Sequence, residues 1–349
     1  MSRLLKRIAA SATRSRSFSW LVGLLERMDP ERRDLLRILT YHRVAACDPG
    51  SPLPPCVSVP PDDFAEQMRY LRSSCHVVSI PELIHALGTG SGLPRRAVLI
   101  TFDDGYRDFR THAWPVMKAL GLPVALFVPT AFPDQPGLSF WWDRLHHALA
   151  STARRDALET PVGPLGLATP GDRQDAYRRL RARAKRLPHA EAMKWVASIC
   201  GELGVSSPPA AILGWNEIRE LAAEGVTIGS HTRTHPLLTR VSLEEARAEV
   251  MGSFRDLERE LGTAAPILAY PAGAFDEALV TMLAGEGLAL GFTTVRGVNP
   301  LRTAHPLKLR RINVGQRTSL ALMRAQLTGW SVGLNRLHPL VEPGEPSPA

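Results

Sequence analysis

The sequence predicts an α/β fold built on a parallel β-sheet. Two observations support this prediction: apolar runs of strand length alternate with amphipathic helical patterns, and ionisable residues follow directly after several of these runs. Such alternation is typical of strand–helix–strand units, which place neighbouring strands parallel. The predicted strands are 38–41, 98–102, 124–128, 226–228, 267–270 and 289–293, with 312–314 as a weaker candidate.

Helical patterns fall between the predicted strands. Ser242 with Glu245 forms a capping box, which marks a helix N-terminus. The predicted helices are 62–72, 106–120, 215–224, 242–261 and 276–286. Residues that carry chemistry would therefore follow strands and precede helices, which is where barrel enzymes place their sites.

Two adjacent carboxylates, Asp103 and Asp104, end the second apolar run, and Gly105 follows them. An unpaired carboxylate at the end of a buried strand is costly, and a metal cation would remove that cost. A sharp turn at Gly105 would let both side chains converge on one site. The alternative is a helix cap, because Asp is a favoured N-cap residue. The metal reading is preferred, since a single cap does not need both carboxylates.

A second pair of polar residues follows the run at 226–228. His231 and His235 come after Gly229 and before Pro236, so they are expected in a loop at a strand end rather than on one helix face. Two His and one carboxylate form a facial triad that leaves coordination positions open for water and substrate. An HxxxH spacing alone is weak evidence, but together with the Asp pair it favours a catalytic metal site.

Three motifs occur in order at predicted strand ends: TFDDG at 101–105, SHTRTH at 230–235 and LAYPAG at 268–273. They resemble the polysaccharide deacetylases of carbohydrate esterase family 4, which contain a NodB homology domain. The resemblance implies a distorted (β/α)7-type barrel with its chemistry at the carboxyl ends of the strands. It also implies that Asp103 is the general base, and that Asp104, His231 and His235 hold one divalent metal ion, with zinc expected.

The sequence departs from the family pattern at two residues: the Arg that pairs with the catalytic Asp, and the acid histidine. Many members carry an Arg in the third motif that pairs with the catalytic Asp, but Ala269 stands near that position. Arg311, on a late predicted strand, is the best replacement, and a plain surface Arg is the alternative. The acid histidine of the family also lacks a clear match. His42, which ends the first predicted strand, is the candidate acid, with His305 as a weaker choice and an ordinary core or loop histidine as the alternative for each.

The third motif supplies the expected substrate contacts. By resemblance, a backbone N–H near Ala272 would stabilise an oxyanion. The expected substrate-binding residues are Tyr270, Pro271, Ala272 and Arg311.

Between 133 and 213 the alternation breaks down, and this stretch is predicted to be a mainly helical insertion over the mouth of the barrel. Trp141 and Trp142 would suit stacking on sugar rings, but paired aromatics at a helix start more often pack, and packing is favoured. The charge run at 178–186 is most simply a solvated helix face. The resulting division is a basic segment at 1–36, the barrel at 37–330 and a Pro-rich tail at 331–349.

Composition limits the partners and the compartment. The net charge of +8 suggests an anionic neighbour, such as a membrane surface or an acidic glycan. Nucleic acid is not expected, because the basic residues are dispersed and no nucleic-acid-binding motif accompanies them. The four Cys, at 47, 56, 75 and 200, show no CxxC spacing, which favours a reducing compartment.

The N-terminal segment combines basic residues with a short apolar run at 18–25. We see no small-residue cleavage site after this run, and it is too short to span a bilayer. It fits a basic amphipathic helix on the inner membrane, with Trp20 near the interface, or equally an ordinary surface helix with a basic face. The expected location is cytoplasmic, peripheral to the inner membrane. The basic residues concerned are Arg3, Lys6, Arg7, Arg14 and Arg16.

The sequence therefore predicts a metal-dependent N-deacetylase for N-acetylated amino sugars of a polysaccharide or its lipid-linked precursor. The enzyme alternative is hydrolysis of another N-acyl or O-acyl group by the same residues. The alternative from a different class is a catalytically weak glycan-binding protein, which the missing Arg and acid make credible. Binding alone would not require the base Asp103, which argues against it.

Overall fold

A computed structural model describes residues 13, 15–28, 34–46, 58–135, 137–208 and 211–329. Its centre is a closed barrel of seven parallel strands, in which the first strand pairs with both the second and the last. These strands are β1 (Leu35–Tyr41), β5 (Ala97–Phe102), β6 (Ala125–Val128), β7 (Thr227–Ser230), β8 (Ile267–Ala269), β9 (Leu290–Arg296) and β11 (Leu309–Asn313). The predicted α/β barrel is therefore confirmed, and all seven predicted runs overlap barrel strands.

Four short strands lie outside the closed barrel. β2 (Arg43–Val44) and β3 (Ser58–Val59) form a parallel pair, β4 (His76–Val77) pairs with β5, and β10 (Asn299–Pro300) pairs antiparallel with β1. None of the four was predicted from the sequence, because two-residue strands carry no periodic signal.

Helices surround the barrel. The α-helices are α1 (Arg16–Arg27), α2 (Pro61–Ser74), α3 (Ile80–Thr89), α4 (Trp114–Ala119), α5 (Trp141–Ser151), α6 (Pro170–Ala184), α7 (His189–Glu202), α8 (Trp215–Ala223), α9 (Leu243–Leu261), α10 (Glu277–Gly285) and α11 (Leu320–Leu327). Helix α9 begins after Ser242, and the capping box with Glu245 is formed as predicted.

The predicted helix 106–120 is wrong in its first half. The chain forms a π-helical turn at Phe109–Ala113 before α4, and the Trp114 N–H donates to the Phe109 carbonyl, five residues back. Pro115 is the physical reason, since it cannot donate to the carbonyl four residues earlier and its ring clashes with that group.

The barrel interior changes from apolar to polar along the strands. Ile38, Leu99 and Phe292 belong to one buried cluster that also includes Leu83 of α3, which covers the amino ends of the strands. Farther along the same strands, buried Thr101 donates to the Leu39 carbonyl. The apolar lower layer excludes water beneath the polar groups at the carboxyl ends, which strengthens the electrostatic interactions among them.

Helices α5, α6 and α7 lie between β6 and β7, inside the predicted insertion. They share a hydrophobic core that is separate from the barrel interior. This core includes Leu145, Leu149, Leu180, Val196 and Ile199. Within the charge run, the side chains of Arg178, Arg183 and Arg186 are exposed on α6 or just after it, as expected for a solvated face.

Several predictions fall outside the described residues: the Pro-rich tail at 331–349, the basic residues Arg3, Lys6, Arg7 and Arg14, and Cys47 and Cys56. Cys75 and Cys200 are free thiols. Among the helices that the structure describes, none is both long enough and apolar enough to cross a bilayer.

Candidate active site

The turn after β5 presents the two adjacent carboxylates. The Asp103 N–H donates to the Tyr41 carbonyl at 2.9 Å, which extends the pairing of β5 with β1 by one residue. The backbone then enters the left-handed region at Asp104 (φ 75°) and Gly105 (φ 65°). The turn therefore begins one residue earlier than predicted. Because the strand alternation ends there, both buried carboxylates reach one site.

Asp103 is held by Arg311. The guanidinium donates to both oxygens of Asp103, from Nη1 at 2.8 Å and from Nη2 at 2.7 Å. It also donates from Nε to the Thr293 carbonyl at 2.7 Å, and it is fully buried. Burial alone would raise the pKa of Asp103, but the charges of Arg311 and His231 and the Arg311 hydrogen bonds lower it to about 2. Arg311 thus lies where an orienting cation was expected, beneath the site and out of substrate reach, which corrects its grouping with the substrate-binding residues.

Asp104, His231 and His235 converge on a common centre. The Asp104 Oδ1 atom lies 3.4 Å from His231 Nε2 and 3.5 Å from His235 Nε2. The three ligand atoms all lie within 4.8 Å of one another, and the three residues are buried. Ligands about 2.1 Å from a tetrahedral metal are separated by roughly 3.4 Å, so the spacing fits a divalent ion. The donor set of two imidazoles and one carboxylate also suits zinc and other borderline ions.

The imidazole of His231 is oriented for ligation. Its Nδ1 lies 2.7 Å from the Ala269 carbonyl, which fixes Nδ1 as the donor and leaves Nε2 free to face the centre. Burial would lower the pKa of His231, but the hydrogen bond with Asp104 and the negative charges of Asp103 and Asp104 raise it. For His235, burial and the neighbouring His231 lower the pKa to about 3, so its imidazole is neutral and available as a ligand.

The loop that carries both His is held by backbone and side-chain hydrogen bonds. Thr232 and His235 both have left-handed backbones, with φ of 65° and 60°. The Thr232 hydroxyl accepts from the His235 N–H at 3.0 Å. Glu249 of α9 accepts from the N–H groups of Arg233 at 2.9 Å and Thr234 at 2.8 Å. These contacts fix the spacing of His231 and His235, and no local pattern in the sequence predicts the role of Glu249.

The insertion supplies one wall of the site. The Trp142 ring packs edge-on against His235, with 4.8 Å between ring centroids, and stacks on Phe140. Trp142 Nε1 donates to the Tyr106 hydroxyl at 3.1 Å, which in turn donates to Asp143 Oδ2 at 2.8 Å. Trp142 therefore packs behind His235, in agreement with the packing interpretation.

Asp143 is a buried carboxyl that forms no ion pair within the described residues, although the charge of Arg43 acts on it. Burial raises its pKa to about 8, because the Tyr106 hydrogen bond does not offset the loss of solvation. Its Oδ1 atom is buried and has no hydrogen-bond partner in the described part of the chain. Sequence reasoning missed this residue, since an Asp in the first turn of a helix is ordinarily a surface residue.

The loop after β8 places the third motif beside the site. Ala272 is exposed and has a left-handed backbone (φ 51°, ψ 16°). The Thr294 hydroxyl donates to the Ala272 carbonyl at 3.0 Å, and a Cβ on Gly273 would lie 2.4 Å from the Thr294 backbone nitrogen, so this loop is pressed against β9. Ala272 can therefore present its backbone to a bound molecule.

The expectation of a substrate contact by the Tyr270 side chain requires correction. Tyr270 is fully buried, and its hydroxyl donates to the Leu307 carbonyl at 2.9 Å. The ring belongs to a buried hydrophobic cluster with Leu268 and Leu279 that does not include Asp104, His231 or His235. Tyr270 thus fixes the loop, and the buried Pro271 sets its bend.

The two candidate acids differ in position. His42 directly follows β1 and is half-buried, and its charge is among the factors that lower the pKa of both Asp103 and Asp104. His305 instead accepts a hydrogen bond from the Leu307 N–H at 3.1 Å as the cap of a short 3-10 turn. His42 lies beside the site, whereas His305 caps a turn elsewhere.

Solved structures share this fold. The Streptococcus pyogenes deacetylase PplD in complex with acetate aligns with a TM-score of 0.57 at 20% identity, over 84% of this chain and 98% of that one. IcaB from Ammonifex degensii aligns with a TM-score of 0.55 at 20% identity, over 84% of this chain and 97% of that one. At such identities the similarity establishes the barrel fold.

Sequence relatives carry related names. The poly-beta-1,6-N-acetyl-D-glucosamine N-deacetylase of Escherichia coli (strain K12) is 35% identical over 81 residues, which are 23% of this chain and only 12% of that protein. YxkH of Bacillus subtilis (strain 168), named as a polysaccharide deacetylase, is 21% identical over 268 residues, which are 76% of this chain and 67% of that protein. The polysaccharide deacetylase family model matches residues 90–291, more than half of the 349-residue chain. The chain belongs to the polysaccharide deacetylase family.

Proposed function

We propose that the protein is a metal-dependent hydrolase that removes N-acetyl groups from amino sugars of a polysaccharide or its lipid-linked precursor. The observation that carries the proposal is the separation of roles within the Asp pair. Asp104 faces the two imidazoles, whereas Asp103 is bound by Arg311. One carboxylate is thus available as a metal ligand and the other as a base.

Asp103 is suited to accept a proton from an attacking water. Arg311 keeps its pKa near 2, so the carboxylate is ionised at neutral pH. The two-point contact also fixes the carboxylate plane, which orients its free lone pairs. A general base must lie within hydrogen-bond reach of the proton that it removes, and buried Asp103 adjoins the ligand Asp104 in the chain.

The ion bound by Asp104, His231 and His235, for which we propose zinc, would polarise the acetamide carbonyl and lower the pKa of a water molecule. The exposed Ala272 backbone N–H would donate to the oxyanion that develops as water adds to the acetamide carbon. Asp103 takes the proton of that water, and the carbon–nitrogen bond then breaks. His42 gives a proton to the leaving amine, so that the products are acetate and a free amino sugar.

The same residues could hydrolyse another acyl group, and the family resemblance favours N-acetyl substrates. The glycan-binding alternative rested on a missing Arg and a missing acid histidine. Arg311 supplies the cation that the third motif lacks, which removes the first of these two arguments. A binding protein would also have no use for an Asp103 held ionised beside a metal site.

The test is acetate release by the zinc-loaded protein from a panel of N-acetylated oligosaccharides, including β-1,4- and β-1,6-linked N-acetylglucosamine oligomers. An O-acetylated oligosaccharide and an N-formyl analogue report on the alternative acyl groups. Asp103→Asn is the matched control, because it leaves the metal ligands unchanged. Acetate release by the wild type and none by the variant supports the proposal. Glycan binding without turnover on any member of the panel contradicts it.

A further inference from the structure

Helix α1 runs along the outer wall of the barrel beside α11. Near its start, the Thr13 carbonyl accepts from the Ser319 hydroxyl at 3.0 Å, and Ser319 follows the carboxyl end of β11. Near its other end, Glu26 lies 3.5 Å from Arg96, which directly precedes the amino end of β5. The helix therefore extends from the side of the barrel that carries the candidate active site to the opposite side.

One face of α1 is fixed to the barrel. Val22 is buried, and a Cβ at Gly23 would be in ordinary van der Waals contact with Arg324 of α11, 3.7 Å from its Nη2. The Glu26 carboxylate accepts from Arg324 Nε at 3.2 Å and from the Tyr70 hydroxyl. Burial would raise the pKa of Glu26, but these hydrogen bonds and the Arg324 charge lower it, so the carboxylate stays ionised and paired. Helix α1 is thus a fixed part of the fold.

The opposite face of α1 is apolar and exposed. Trp20 is 72% exposed, Leu21 46%, Leu24 40% and Met28 59%. Trp20, Leu24 and Met28 recur every four residues and Leu21 lies three before Leu24, which places them on one side of the helix, with Met28 at its C-cap. They are four of the six large hydrophobic side chains that are exposed in the described part of the chain. An amphipathic surface helix ordinarily buries its apolar face, and a contiguous exposed patch marks an interaction surface.

The charge around this outer face is positive. Arg16 and Arg27 are exposed at the two ends of α1. Glu26 is the first acidic residue of the sequence, and its carboxylate is turned toward Arg324 and away from the outer face. Four further cationic residues precede the helix, at positions outside those that the structure describes: Arg3, Lys6, Arg7 and Arg14. An apolar face that carries a Trp and is flanked by cations complements an anionic lipid surface.

The size of the face argues against a second copy of the chain as the occupant. A 12-residue helix is about 18 Å long and about 10 Å wide, so one face offers on the order of 200 Å². A stable protein interface needs about 800 Å² from each partner. A bilayer has no such requirement, because a single helix can insert its apolar side chains among lipid headgroups.

We infer that α1 is an interfacial anchor that binds anionic lipid bilayers through Trp20, Leu21, Leu24 and Met28. Since the helix runs along the barrel wall, the barrel would lie on its side on the membrane. The carboxyl ends of the strands, with Asp103, would then open along the bilayer surface rather than away from it. This inference does not depend on the proposed deacetylase activity.

The test is co-sedimentation of the full chain with vesicles of phosphatidylcholine containing 30% phosphatidylglycerol, and with phosphatidylcholine alone. We expect binding to the anionic vesicles that weakens as salt is raised. The double variant Trp20→Ser/Leu24→Ser should bind at least tenfold more weakly. Leu138→Ser/Leu243→Ser is the matched control, because these leucines are 43% and 47% exposed elsewhere on the surface. Unchanged thermal unfolding verifies that both double variants are folded.

A second measurement locates the contact. Lipids brominated in their acyl chains should quench tryptophan fluorescence of the wild type, and Trp20→Phe should keep vesicle binding but lose most of the quenching. Equal binding by the two double variants, or equal binding to neutral and anionic vesicles, would overturn the inference. So would a wild-type dimer that Trp20→Ser/Leu24→Ser converts to monomer without vesicles, since the face would then be a protein interface.

Discussion

Arg311 and Asp103, 208 residues apart in the chain, form a two-point ion pair inside the barrel. The pair joins the last barrel strand to the end of the second, and Arg311 Nη1 also donates to the Thr101 hydroxyl at 3.3 Å. A buried charge pair of this kind is weak evidence for stability, because desolvation offsets much of the attraction. Its position beside the candidate metal ligands instead indicates that it sets the ionisation and orientation of Asp103.

Arg311→Met should move the acidic limb of the activity profile to higher pH. Asp103 has a pKa near 2 because Arg311 outweighs the effect of burial. Without the cation, burial dominates and the pKa rises above its usual value of 3.8. The measurement is kcat against pH, with Arg311→Lys as the control that keeps the charge. An unchanged limb in Arg311→Met would restrict Arg311 to a structural role.

The same substitution should change how stability depends on pH. In the wild type, the pKa of Asp103 is lowered. Its contribution to the free energy of unfolding is therefore present above pH 3.8 and is lost as pH falls through about 2. In Arg311→Met the pKa is raised, so stability instead falls as pH rises. Urea unfolding should show a deficit of about 3–5 kcal/mol at pH 7 that shrinks at pH 4. A deficit independent of pH would contradict this account.

His231→Ala and His235→Ala should each lower metal content and activity together. Each removes one of three protein ligands, which leaves the ion mainly solvated. Metal analysis after dialysis measures occupancy directly. Because the contacts with Asp104 and Asp103 raise the pKa of His231, protons should compete with the metal for its Nε2 atom, so affinity should fall as pH falls. Full occupancy in both variants would remove the proposed site.

Asp103→Asn and Asp104→Asn should separate the two carboxylate roles. Asp103→Asn should retain the metal and lose most activity, because an amide cannot accept the proton. Asp104→Asn should lose the metal, since Asp104 Oδ1 is the atom that faces both imidazoles. The comparison is of metal content and kcat in the same preparations. Loss of metal in Asp103→Asn alone would reverse the assignment.

His42→Ala should slow amide substrates more than activated esters, because only the leaving amine needs a proton. His42 is half-buried, and its charge affects the pKa of both active-site carboxylates. Rates on an N-acetyl oligosaccharide and on an aryl acetate give the comparison. An equal loss of rate on both substrates would indicate that His42 has only a structural role.

Strand ends and ligand types could be predicted from the sequence because they depend on local pattern. The apolar run before Asp103 ends where β5 ends, and β7 ends at Ser230, directly before His231 and one residue after Gly229. Arg311 could be suggested only by elimination, because nothing local to it indicates that its side chain crosses the barrel.

Other features depend on tertiary contacts that no local pattern reports. Tyr270 lies within the third motif, but its hydroxyl donates to the Leu307 carbonyl of a distant 3-10 turn, and the side chain is in the core. Trp142 and Asp143 stand in an insertion whose placement over Tyr106 is not set by periodicity. The burial of Asp143 follows from that placement, so sequence reasoning could not detect it.

Asp143→Asn should stabilise the protein as pH rises toward 8. The pKa of Asp143 is raised from 3.8 to about 8, chiefly by burial, so the folded state binds more protons than the unfolded state between these values. Wild-type stability therefore decreases across that window, by at most about 1.4 kcal/mol per pH unit from this group. An uncharged amide at this position can still accept the Tyr106 hydrogen bond without that penalty.

Urea unfolding at pH 5, 6, 7 and 8 tests this expectation. The advantage of Asp143→Asn over the wild type should grow with pH, by at least about 1 kcal/mol over the series. Asp156→Asn is the matched control, because this carboxylate lies in the same insertion with its side chain 69% exposed, where solvent screens the charge. Parallel stability curves for Asp143→Asn and wild type would mean that the buried carboxyl is not held neutral. The negative charge of Asp143 would then have to be compensated by other groups of the folded protein, close to Trp142, which packs against His235.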